Sequence, residues 1–94
     1  MSGTMNPVKR YATTLNNLKQ KKLVDYETIE IREGAHHQES WTVTVLLKFA
    51  HKVESDGRRT VLTPKSLGYT ATANAKREAL TIACYYALQD LGYV

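Results

Sequence analysis

Two cations, Lys76 and Arg77, fall in the first turn of a C-terminal stretch with helical spacing, where the partial positive charge of a helix N-terminus opposes them. The conflict disappears when an anion sits there, because free first-turn amides and two cationic side chains then converge on one negative group, and a phosphate fits best. Further donors, Gly34, His36 and His37, lie in the polar run GAHHQES between two β-like stretches, a short tip that flanking strands can hold rigidly. Asp90 repeats the misplacement with opposite sign in the last turn of the same stretch, so charge position alone is not diagnostic.

Catalysis is not expected. Asp25, Glu27, Glu30 and Glu33 place carboxylates along one β-like run, but neither a nucleophile nor a metal-binding spacing accompanies them. His36, His37, His51 and Cys84 match no common zinc spacing, and Cys84 falls on an apolar helical stripe. Hence no metal, cofactor or small-molecule substrate is expected.

The elements that must position these groups belong to one domain, since 94 residues with 43% apolar content fill one modest core. The net charge of +4 tilts partners toward polyanions. A single cysteine cannot form an internal disulfide, which suits a reducing compartment, so an intracellular location, cytoplasm or nucleus, is expected. No membrane association is expected either, because no stretch nears the roughly 20 apolar residues of a span. Residues 1–5, ahead of and including a second methionine, are expected to be a disordered tail or an expression leftover, with the domain over 6–94.

Asn6 as a cap and Pro7 at the first helical position open a helix in which Val8, Tyr11, Leu15 and Leu18 repeat on one face, ending near Lys21 or Lys22. A strand follows over 24–33, with Tyr26, Ile29 and Ile31 among acidic residues that a half-buried strand turns outward, until Gly34 breaks it. Trp41, Val43, Val45, Leu47 and Phe49 then alternate with Thr42, Thr44 and Lys48 as a second strand. Ser55, Asp56 and Gly57 form a hairpin tip, and Pro64 predicts an edge, bulge or break in the return strand, with pairing resumed over 67–72. From Asn74, a last helix aligns Ala79, Leu80, Ala83, Cys84, Ala87, Leu88 and Leu91 on one stripe, and Gly92 ends it. The order is α-β-β-β-α: an α+β fold in which a three-stranded antiparallel sheet carries both helices on one face.

Three blocks in this order resemble the double-stranded-RNA-binding domain. LNNLKQKKLVDY, residues 15–26, resembles that family's LNExxQKxxLPxY; GAHHQESWTVTV, residues 34–45, is similar to GPxHxxxFxVxV; and AKREALTIACYYALQDL, residues 75–91, resembles SKKxAKxxAAxxALxxL. The resemblance implies a module that lies across A-form RNA, reads its shape and acts in an RNA-processing or RNA-silencing system. By position it assigns Thr13 and Asn17 to one minor groove, Gly34, Ala35, His36 and His37 to the next, and Lys76 and Arg77 to the phosphates between.

The chain departs from the pattern at several positions. Asn17 stands where glutamate is usual, Leu80 where a third basic residue is usual, and Ala71 and Ala73 where small glycines are usual. An insertion over 50–66 adds Arg58, Arg59 and Lys65 as candidate extra RNA contacts. The alternative reading is an interaction module of the same fold that pairs with another such domain, in a homo- or heterodimer, through an edge containing Val61, Leu62, Leu67 and Tyr69.

Overall fold

The first apolar stripe becomes helix α1, Tyr11–Gln20, in a computed structural model that describes residues 10–35, 38–63 and 67–94. The Asn6 and Pro7 start signal lies outside the described residues. Leu15 and Leu18 are buried, as their spacing requires, and Tyr11 packs on the core beside them. Lys22 ends the helix in the left-handed region at φ 63°, while the Leu23 and Lys22 amides donate to the carbonyls of Leu18 and Lys19, both at 3.0 Å. That is the Schellman arrangement, usually built on glycine.

Strand β1 covers Val24–Glu33 and β2 covers Ser40–Val53. After a hairpin come β3, Arg59–Leu62, and β4, Leu67–Ala73, and then helix α2, Lys76–Asp90. Among the described residues the protein is therefore α+β, with two helices and a four-stranded antiparallel sheet. The long β2 is central, with β1 along one side. On its other side β3 pairs with the far end of β2, Ala50 opposite Leu62, and β4 pairs with the near end, Leu47 opposite Leu67.

The sheet has four strands among the described residues where three were expected. One lane of the sheet is cut in two, because only Lys48 and Phe49 separate the two pairings on β2 whereas residues 63–66 separate them on the other side. Pro64, which has no amide to give a ladder, lies in that gap.

Residues directly opposite across an antiparallel pair share a face. Val43, Val45 and Leu47 of β2 turn under the helices and are fully buried, and Ala71 of β4 is nearly so. Val45, Leu47 and Ala71 meet Leu15 and Leu18 of α1, Ala83, Cys84, Ala87 and Leu88 of α2 and Leu91 just past its end in one core, so both helices cover the same face. Small residues let α2 sit close to the sheet, and Tyr11 of α1 meets Tyr85 of α2 with ring centroids 4.7 Å apart. The opposite face carries hydroxyl pairs, Thr42 with Thr72 at 3.0 Å and Thr44 with Thr70 at 2.8 Å.

The acidic residues of β1 do not all turn outward. Glu30 lies opposite Val43 and so shares the helix-side face, while Ile29 and Ile31 sit on the open face at 47% and 51% exposure. The reason is that α1 reaches only the start of β1: Val24 is buried and Tyr26 half-buried, and everything beyond overhangs. Burial does not choose a face for an overhanging strand; pairing with β2 does.

Candidate nucleic-acid interface

Lys76 opens α2, and its Nζ lies 3.6 Å from Glu30 Oε1 and 5.5 Å from the centroid of the Trp41 ring. Trp41 is the second residue of β2 and the indole leans toward the helix side, so one side chain joins the helix start to the exit of the β1–β2 loop. At the entry to that loop Arg32, paired opposite Trp41, holds its guanidinium 5.9 Å from the same ring centroid. Arg32 Nη1 also lies 3.8 Å from Glu39 Oε2. Cation–ring contacts of this kind contribute about 0.5–1 kcal/mol each at exposed sites, enough to bias a long side chain toward one region. Arg77, the next residue of α2, is exposed.

The loop has its own geometric requirement. Gly34 takes φ +99°, and a Cβ there would overlap the Gln38 carbonyl oxygen, so only glycine suits the position. Ala35 is exposed, and its carbonyl accepts the Gln38 amide at 2.9 Å, closing a turn. His36 and His37 lie outside the described residues.

Thr13 and Asn17 are exposed on the side of α1 turned away from Leu15 and Leu18. Of the expected contact residues, then, Lys76 lies at the Trp41 ring together with Arg32, while Gly34 and Ala35 open the loop two residues past Arg32 and α1 presents Thr13 and Asn17 as an exposed polar strip. Arg32, Glu30 and the bridging role of Trp41 were not among the expected site residues. Their signal is the pairing of position 32 with position 41 across the loop, which is a matter of register.

Other expected residues fall elsewhere. Leu80 is half-buried against the core, one turn along from Lys76. Arg58 and Arg59 do not extend the Trp41 cluster: they sit on the hairpin at the far end of β2, about 40 Å of strand away at 3.3 Å per residue. Arg58 is engaged there by Asp56, Nε to Oδ2 at 2.7 Å. Lys65 lies outside the described residues. Of the expected pairing edge, Val61 is exposed, whereas Leu62, Leu67 and Tyr69 pack against this chain's own core. What β4 offers at its outer side is backbone, since among the described residues it pairs only with β2.

Cys84 is buried, and burial pushes its thiol up to about 12, which keeps it protonated and unreactive at neutral pH. Around Trp41 two cations, Arg32 and Lys76, and two carboxylates, Glu39 and Glu30, are thus gathered on one solvent-facing patch. Compared with protein-family models, curated proteins and solved structures, the chain matches none of them.

Proposed function

We propose that this chain is a divergent double-stranded-RNA-binding domain, its divided third lane standing for one strand of the α-β-β-β-α order. On this reading it binds duplex RNA by A-form shape and phosphate contacts, without catalysis, as one module of an RNA-processing or RNA-silencing system. The observation that carries the reading is the Trp41 bridge, where Lys76 of the helix start and Arg32, two residues before Gly34, approach one ring. Cations on a helix start suit phosphates, a protruding loop suits a shallow minor groove, and polar side chains such as Thr13 and Asn17 suit 2′-hydroxyls. The experiment is a binding series with duplex RNA of about 16 base pairs or more against B-form DNA of equal length, across a range of salt. The expected result is preference for RNA with affinity falling steeply as salt rises; equal affinity for DNA contradicts it.

A second reading, pairing with another copy or a similar domain, is favoured by the contrast between β1 and β4, outer strands on opposite sides of β2. The β1 edge carries Asp25, Glu27, Glu30, Arg32 and Glu33, charges of the kind that discourage added strands. The β4 edge, LGYTATA, carries none. Sizing at rising concentration tests it: concentration-dependent doubling of the mass supports pairing, and a mass that stays monomeric contradicts it.

A further inference from the structure

We infer that Arg32 is a third phosphate-binding cation of this surface, contributed by the sheet; the inference rests on the RNA reading above and deepens it. On α2, the position one turn after Lys76 is Leu80, which turns into the core, so the helix itself presents two cations, Lys76 and Arg77. Arg32 comes from β1 with its side chain 62% exposed. Its guanidinium and the Lys76 ammonium flank one indole at 5.9 and 5.5 Å. The two charges therefore lie within about 11 Å of each other, close to one Debye length at 0.1 M salt, and act on the same stretch of backbone. The planar guanidinium fork also matches the two free oxygens of a phosphodiester.

Each cation already has a carboxylate neighbour, Glu39 at 3.8 Å from Arg32 and Glu30 at 3.6 Å from Lys76. These distances describe loose ion pairs in water-exposed positions, which hold the cations near Trp41 without binding them tightly. An arriving phosphate displaces the carboxylates and takes over their role. Two substitutions at one ion pair should then act in opposite directions: removing the cation weakens binding, and neutralising its carboxylate strengthens it.

The test compares the full chain with Arg32→Gln, Glu39→Gln and the double variant Lys76→Ala/Arg77→Ala, measuring affinity for a fixed RNA duplex from low to moderate salt. Arg32→Gln is expected to weaken binding about fivefold and to lower the slope of log affinity against log salt by about one, as one lost phosphate contact does. Glu39→Gln is expected to tighten binding about twofold or more at low salt, where an adjacent like charge is least screened. Thermal melting of each variant reports folding separately, and the salt slope is a readout that a merely structural role would leave unchanged. Arg32→Gln with wild-type affinity and slope, alongside a weakened Lys76→Ala/Arg77→Ala variant, overturns the inference and leaves the RNA reading standing. A wild-type chain that retains no duplex RNA overturns both.

Discussion

The Tyr69 hydroxyl donates a 2.5 Å hydrogen bond to Asp90 Oδ2, so the middle of β4 is tied to the last turn of α2. This pairing accounts for a charge that helix electrostatics alone disfavours, since Asp90 sits among carbonyls that prefer a cation. Burial, followed by the hydrogen bond to Asp90 and its charge, holds the Tyr69 phenol well above its usual range. Register puts Tyr69 on the helix side of the sheet, opposite buried Val45, and the bond to Asp90 holds it there.

Tyr69→Phe should destabilise the fold by about 1 kcal/mol, the usual worth of one hydrogen bond. Asp90→Asn keeps an acceptor and removes the charge from the helix C-terminus, so it should stay within about 0.5 kcal/mol of wild type. Urea unfolding of both variants checks this; equal losses would mean that the carboxylate charge, and not the hydrogen bond, matters.

The two helix ends offer opposite corrections. Lys22 is a non-glycine residue at φ 63°, so Lys22→Gly should stabilise by about 0.5–1 kcal/mol through relief of the left-handed strain. Gly92 closes α2 with φ 85°, its amide donating to Gln89 and that of Tyr93 to Leu88, and a Cβ there would run into the Val53 carbonyl. Gly92→Ala should therefore cost about 2 kcal/mol or more, read as a lower melting temperature.

Alkaline stability should depend on Cys84. Its thiol is raised from 9.0 to about 12 by burial, so above pH 9 the unfolded chain loses this proton while the folded chain keeps it. Stability is then fully present below pH 9 and falls as pH rises toward 12. Cys84→Ala should flatten the decline between pH 9 and pH 10, before Tyr26, Tyr69 and Tyr93, all raised from 10.0, add their own losses. An unchanged slope in that window, measured by urea unfolding, would show that the thiol is not the group responsible.

Arg58→Ala and Arg59→Ala should leave duplex-RNA affinity within about twofold of wild type, because both side chains sit at the end of β2 remote from Trp41. A loss comparable to that of Lys76→Ala in a filter-binding or anisotropy assay would mean that the RNA reaches the hairpin.

Much of this architecture is legible in the sequence because burial is periodic. The alternation of Val43, Val45 and Leu47, and the stripe from Ala79 to Leu91, state which side of each element meets the core. Pro64 marks the interruption of the return strand, but the number of strands depends on how its two halves pair along β2, which no local pattern encodes. The orientation of β1 is hidden for a related reason: past Tyr26 the strand has no core to face, so Glu30 and Arg32 reach the helix side by register alone. Leu67 and Tyr69 read as edge residues because apolar side chains on an outer strand serve a core or a partner equally well. The cations of α2 were visible; that Trp41 gathers Lys76 and Arg32 required the fold.

The central claim is that duplex RNA meets the surface around Trp41, and a residue-by-residue solution titration with an RNA duplex of about 16 base pairs tests it most directly. The account predicts amide and side-chain shifts at Gly34, Ala35, Arg32, Trp41, Lys76 and Arg77, joined by Thr13 and Asn17 on α1, with β4 unaffected. Shifts confined to β4, or to the hairpin that carries Arg58 and Arg59, would contradict it.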